Sequence, residues 1–303
     1  MNNLRIPGTI NLIIATAATV LCASLLWLAS NSTSGLVIAG AAIGFSLFNN
    51  TLFALLHESV HGVLHQNTKI NYLAGLLCSA MFPTGYSIQK ISHLGHHQRN
   101  RTDAELYDYY LPHQSRWLKT YWLYCLLTGF YWAIIPVAGL IFLFMPWSFA
   151  SKHFQTGPAR WWGFEPFVRD IAQQGRLRVW LELFFSFVIQ LMLWQLLDLN
   201  WKGYLLCYWA FGLNWSALQY VDHAWSVRDV INGAWNLKVN PLVQKIFLNY
   251  HLHLAHHRHP QVPWIYLPGL VEKEDERPSF WPIYFSLWAG ARPAPPFQER
   301  ELR

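Results

Sequence analysis

His253-Leu254-Ala255-His256-His257 sets two histidines four residues apart with a third between them. Two further clusters precede it, His57-Glu58-Ser59-Val60-His61 and His93-Leu94-Gly95-His96-His97. On a helix, residues three and four apart share a face, with Cβ atoms roughly 5–6 Å apart. Each cluster therefore presents two or three imidazoles in one direction. Together they supply eight imidazoles, more than one ion coordinates, so the arithmetic points to two metals. Zinc takes four ligands in a closed structural site and three in a catalytic one, which leaves half of the histidines unexplained. Redox iron is the better candidate.

Working outward, hydrophobic residues make up 53% of the 303-residue chain and charged ones 13%, about half the charged fraction of a soluble domain. Runs without Asp, Glu, Lys or Arg cover 9–29, 35–56, 120–150 and 203–221, and 183–197 is nearly as apolar. A bilayer span needs about 20 such residues, so at least four spans fit. Arg5 before the first run resembles the start of a secretory signal, but the run exceeds the 7–15 residues of a signal core, so it reads as a retained span. Cys22, Cys78, Cys125 and Cys207 lie in apolar segments without regular spacing, which argues against a disulfide framework and against thiolate ligation. A net charge of +6 reflects basic cytoplasmic loops rather than nucleic-acid binding.

The topology follows from the charges. Residues 9–29 leave the cytoplasm, Ser30-Asn31-Ser32-Thr33-Ser34 turns, and 35–56 return, so His57 and His61 emerge on the cytoplasmic side. Asn49 and Asn50 interrupt the second span and face the protein interior, as packing residues in first place, with lining a substrate tunnel as the alternative. Residues 71–88 are too short and too broken by Pro83 and Gly85 to cross, and read as a re-entrant segment. A single crossing at 120–150 would put Lys152, Arg160, Arg169, Arg176 and Arg178 outside, so a membrane-embedded hairpin is expected there, with a kink at Pro136. Residues 180–197 and 203–221 pair around Asp198-Leu199-Asn200-Trp201-Lys202. Lys202 is then the one external residue among 22 basic ones, and every histidine is cytoplasmic. Many of the seventeen tryptophans stand at segment ends, as in an interfacial belt. The expected fold is a single all-α integral membrane domain over 1–303: about four transmembrane helices, re-entrant segments, a cytoplasmic helical cap carrying the histidines, and an extended cytoplasmic tail over 277–303.

Two other chemistries compete. His57-Glu58-Ser59-Val60-His61 fits H-E-x-x-H, in which two histidines bind zinc and the glutamate is the general base of a metalloprotease. Such an enzyme needs one further ligand and has no use for two H-x-x-H-H clusters, and the L-D-G motif of intramembrane metalloproteases is absent. Haem bound by paired axial histidines would place them inside facing spans, whereas here they cluster at span ends.

The ordered set H-x-x-x-H, H-x-x-H-H, H-x-x-H-H, separated by apolar segments over about 50–265, resembles the membrane fatty acid desaturase superfamily, which includes acyl desaturases, acyl hydroxylases and carotenoid ketolases. The resemblance implies a non-haem di-iron centre held by His57, His61, His93, His96, His97, His253, His256 and His257, with O2 as co-substrate. Members commonly add a histidine at the cytoplasmic end of the last span before the third cluster, where His223 stands in Gln219-Tyr220-Val221-Asp222-His223. Gln219, one turn earlier, is expected at a metal-bound water. Glu58, Asp103, Asp222 and Asp229 are candidates to orient ligand rings, and Asn249 and Tyr250 to line the site. His65 continues the i, i+4 row of the first cluster, but about 5.4 Å further on it falls beyond the centre. His113, His153, His251 and His259 read as surface or supporting residues.

The implied activity is O2-dependent oxidation of a lipid hydrocarbon chain, in first place acyl desaturation, with hydroxylation or ketolation of a carotenoid or acyl lipid as the alternative. The chain shows neither the G-x-G-x-x-G of a dinucleotide site nor the H-P-G-G of a fused cytochrome b5. A separate donor, a ferredoxin, rubredoxin or cytochrome b5, is therefore expected. Short external loops and no fused donor point to a bacterial inner membrane with the site on its cytoplasmic side.

Overall fold

The computed structural model describes residues 4–145, 147, 151–160, 165–172 and 175–297. Helices dominate. α1 (Gly8–Asn31) and α2 (Gly35–Val60) form a hairpin. At 1.5 Å per residue their 24 and 26 residues rise about 36 and 39 Å, more than the roughly 30 Å of a bilayer core. After α3 (Thr68–Met81) and α4 (Tyr86–Arg99) come the short strand β1 (Tyr109–Tyr110), α5 (Arg116–Leu127) and α6 (Phe130–Phe144). A short helical stretch over 152–159 precedes α7 (Glu165–Ala172), α8 (Arg176–Leu196) and α9 (Trp201–Val221). The chain then runs through α10 (Pro241–Ile246), α11 (His253–Arg258), a 3-10 turn over Trp264–Leu270, α12 (Phe280–Leu287) and β2 (Arg292–Pro293).

Among the described residues, α1, α2 and α8 are long and apolar enough to cross a membrane, and a fourth crossing is added if α5 and α6 count as one broken span. This is an integral membrane protein. α5 and α6 meet at 88°, so the 120–150 run is no straight span; residues 146 and 148–150 of it lie outside the described residues. The bend differs in place from the expected kink. α6 continues through Pro136, and the chain turns at Gly129, whose φ of 81° is left-handed and favours glycine. A Cβ there would also strike the backbone of α9 at Leu213.

The 203–221 run forms a helix of spanning length, α9, yet it is not among the apolar crossings. Its tryptophans and tyrosines, with Asn214 and Gln219, lower its hydropathy, and about half of it is buried in protein. It stands as a central post against α1, α2, α5, α6 and α12. Phe45, Phe53, Phe82, Tyr208, Phe211 and Trp215 fill the space around it, and Phe45 meets Tyr208 edge-on at 5.0 Å. Cys22, Cys78, Cys125 and Cys207 are all unpaired thiols. Asn49 donates to the Met81 carbonyl at 3.3 Å and Asn50 to the Ser46 carbonyl at 2.9 Å, both as packing residues.

The ends of the bundle differ. At one, the α1–α2 turn meets the α8–α9 turn, with Asn31 Nδ2 donating to the Leu197 carbonyl at 3.4 Å and the Asn200 carboxamide to that of Ser30. At the other, α2 and α9 deliver His57, His61 and His223. Over 280–293 the expected extended tail is folded: Ile283 and Leu287 of α12 enter the core, and β2 pairs in parallel with β1. Phe280, Ile283 and Leu287, three and four residues apart, give this helix one apolar side that burial stabilises. Residues 298–303 lie outside the described residues.

Candidate metal centre

The helix carrying the first cluster is stopped where its histidines emerge. Asn71 of α3 donates to the Ser59 carbonyl at 2.8 Å and accepts from the Leu64 amide at 3.1 Å and the His65 amide at 3.3 Å, and Ser59 Oγ donates back to the Asn71 carbonyl at 2.7 Å. α2 ends at Val60, so the expected row does not reach His65; that ring accepts from the Asn67 amide at 2.9 Å, away from the cluster.

The second cluster is set by the start of α4. Glu182 of α8, 2% exposed, accepts from the Ser87 amide at 2.5 Å, the Ser87 hydroxyl at 2.9 Å, Tyr72 at 3.0 Å and Arg178 at 3.1 Å. A carboxylate at the first turn offsets the unpaired amides and the positive end of the helix dipole. Past the end of α4, Asn100 donates to the carbonyls of Val230 and Gly233, both at 3.1 Å. Asp108, fully buried, takes Arg101 at 2.7 Å, Tyr220 at 2.8 Å and the Trp225 amide at 2.7 Å. These bonds tie the second cluster to the end of α9. The third cluster is seated by Asn236, which accepts from the Ala255 amide at 3.0 Å and donates to Asp275 at 2.9 Å.

The nine histidines converge in two groups. His57, His61, His93, His97 and His256 form one, and His96, His223, His253 and His257 the other, with ligand atoms in each group within 4.8 Å of one another. In both H-x-x-H-H clusters the i, i+4 pair enters one group and the remaining histidine the other. His93 and His97 join the first group, His253 and His257 the second.

The ring contacts test whether this donor set fits metal. His96 Nδ1 donates to Glu105 Oε1 at 2.5 Å, and His223 Nδ1 to the Gly233 carbonyl at 2.7 Å. Those bonds place each proton on Nδ1 and leave two bare Nε2 lone pairs 3.1 Å apart. In the first group, His93 Nε2 faces His61 at 2.8 Å and His97 at 3.0 Å, while His97 Nε2 also faces His256 at 3.0 Å. One ring proton cannot serve two such contacts. His57 Nε2 and both nitrogens of His257 are buried without a protein partner. Converging lone pairs of this kind fit cations. Burial first, and neighbouring imidazoles second, hold His93, His256 and His257 well below the ordinary value of 6.5. The same causes bring His97 down to about 2 and His253 to about 3. Neutral rings are the form that binds metal.

The expected supporting residues divide. Glu58 Oε1 lies 4.0 Å from His57 Nδ1, and Oε2 accepts from the Trp264 amide at 3.0 Å. Gln219 accepts from the Tyr250 hydroxyl at 2.8 Å, and the Tyr250 ring stands 5.1 Å from those of His57 and His253. Asp222, just past α9, is buried with both oxygens unpartnered, and burial pushes its pKa well above the usual carboxylate range. Asn249 donates to the Trp264 carbonyl at 3.0 Å, the residue whose amide Glu58 accepts. Asp103 pairs with Arg228, and Asp229 accepts from the Ile231 and Asn232 amides, so the bonds seen at both shape loops. His251 is buried beside the third cluster, with burial and then Arg277 lowering it to about 4. Sequence reading missed Glu105, Asp108 and Glu182, which lie outside any histidine pattern.

The fatty acid desaturase family model matches residues 31–288. The chain belongs to that family. The match extends beyond the 50–265 stretch on which the motifs rest and takes in all nine histidines. Comparison with curated proteins finds no match. The family makes the chain a membrane desaturase-like oxidoreductase, and the two histidine groups are compatible with its metal chemistry.

Proposed function

We propose that the chain is an O2-dependent, non-haem di-iron oxidoreductase of a lipid hydrocarbon chain, in first place a fatty acyl desaturase. The observation that carries this reading is the pair of bare Nε2 atoms on His96 and His223 within a five-plus-four partition of nine histidines. His57, His61, His93, His97 and His256 would hold one iron, and His96, His223, His253 and His257 the other. Bound iron with O2 supplies the oxidising power for removing hydrogen from an unactivated methylene, which protein side chains lack.

The residues do the rest. Glu105 and the Gly233 carbonyl fix the tautomers of His96 and His223. Tyr250 holds the Gln219 side chain by donating to its Oε1 at 2.8 Å. Phe53, Tyr250 and Trp264 exclude bulk water around the rings. A cavity of about 10 Å3, lined by Ala54, Leu248, Leu267 and Trp264 together with His57, His253 and His256, touches both groups and is about the size of a single water. The zinc protease reading is weakened because Glu58 is already bonded to the Trp264 amide and a second histidine group remains.

A separate one-electron donor, a ferredoxin, rubredoxin or cytochrome b5, delivers reducing equivalents at the cytoplasmic face. The charge bias that leaves Lys202 alone outside supports that orientation, and the short external loops support a bacterial inner membrane. Elemental analysis of detergent-purified protein should find about two irons per chain, and about one in His256→Ala. One zinc with iron near zero would sink the proposal. Mass spectrometry of lipid products then separates loss of two hydrogens from gain of oxygen.

A further inference from the structure

α9 carries donors that the protein does not use. Trp215 is 5% exposed, Gln219 lies one turn on, and His223 one turn beyond that. Residues four apart share a helix face, so the three climb one side of α9 to the second histidine group. Trp215 Nε1 and Gln219 Nε2 are buried with no hydrogen-bond partner. The Tyr250 hydroxyl occupies Gln219 Oε1 at 2.8 Å, which leaves the amide NH2 free. The Trp215 ring meets Phe53 edge-on at 5.4 Å and Phe82 at 4.9 Å. Phe53 stands one turn before His57 on α2 and packs on Tyr250 at 5.8 Å. The two donors thus sit in a packed aromatic cluster of Phe53, Phe82, Trp215 and Tyr250, next to the histidine groups along α2 and α9, so an acceptor reaches them only if the cluster opens around it.

Buried donors are almost always partnered in native proteins. A chain of methylenes offers no acceptor, and a donor facing it stays unsatisfied. We infer that the lipid oxidised here carries a hydroxyl or carbonyl oxygen on its membrane-side portion, and that Trp215 and Gln219 donate to it. Eight residues separate Trp215 from His223, six of them within α9 and two in the turn after it, about 12 Å at helical rise, so the oxygen sits within about that reach of the reacting carbon. The inference rests on the reading of this site as a lipid-oxidising centre.

The test is a retention measurement without turnover. Purified protein is equilibrated with phosphatidylglycerol bilayers containing octadecanoyl and 12-oxo-octadecanoyl chains in equal amounts, then captured, and the retained chains are counted by mass spectrometry. Two net hydrogen bonds predict enrichment of the oxo chain by at least about fivefold. Trp215→Phe keeps the ring and removes the N–H, and should reduce the enrichment severalfold; Gln219→Met is the second variant. A wild-type ratio near one overturns the inference, as does enrichment unchanged in both variants. If wild-type protein prefers the oxo chain yet oxidises no lipid, Trp215 and Gln219 bind the oxygen of a lipid that is not a substrate, and the proposed function falls. Oxidation of the plain chain with no retention preference leaves the proposed function standing and overturns the inference.

Discussion

Replacing Glu105 tests the second histidine group through a residue that touches no metal. Its carboxylate accepts the His96 Nδ1 proton at 2.5 Å, and it is 23% exposed against 19% for the His96 ring. The bond does two things: it fixes the tautomer that turns Nε2 inward, and it raises the basicity of the ring. Loss of such an outer partner typically lowers metal affinity by about 10–100-fold, or about 1.4–2.8 kcal/mol at 1.4 kcal/mol per decade. Glu105→Leu removes the acceptor and should fall near the upper figure. Glu105→Gln keeps a neutral acceptor, roughly half as strong, and should fall near the lower one.

The assay is graded chelation with iron quantified at each step. Wild-type protein should release its two irons at chelator concentrations that differ little from those of Glu165→Gln, a carboxylate paired with Arg160 and Arg169 on α7. Both Glu105 variants should release one iron early and keep the other. The reasoning is refuted if Glu105→Leu releases iron like wild type, or if both irons leave together.

Other outcomes follow from the same geometry. His97→Ala and His257→Ala should each lower iron from about two to about one per chain, while His65→Ala and His113→Ala leave it at about two by elemental analysis. Asp108→Ala strands Arg101, a pair with 1% and 0% exposure, and should destabilise the protein by about 3–5 kcal/mol in chemical unfolding. Acid should strip metal and stability together. The folded values of His93, His256 and His257 lie below 6.5, so the unfolded chain binds more protons below that pH; the stabilisation is complete above about 6.5 and lost as pH falls, read as iron retained after equilibration.

What local periodicity encodes was legible in the chain: the three clusters, the charge-free runs, and His223 at a helix end. Contacts between distant segments were not. Glu182 reaches Ser87 across 95 residues, and a lone glutamate on an apolar helix shows no partner in sequence. Glu105 lies in a polar loop without helical register, so nothing marks it as the acceptor of His96. The Pro136 signal was real but local; α6 absorbs the proline, while Gly129 turns because α9 leaves no room for a Cβ. His65 shows the limit of spacing arguments, since an i, i+4 row holds only while the helix lasts.

The partition itself required the fold. Three clusters of two, three and three histidines predict two metals, but not that each H-x-x-H-H divides between them. That division makes the two groups unlike. The second has four imidazoles, two of them oriented by Glu105 and the Gly233 carbonyl, with Gln219 close by. The first has five; His61 Nδ1 and His256 Nδ1 find no protein partner, as do His253 Nδ1 and His257 Nδ1 in the second, so the contrast rests on His96 and His223 alone. One group therefore relies on the number of its donors and the other on their orientation. A single lost outer bond should then weaken the second group, whereas weakening the first requires the loss of a histidine.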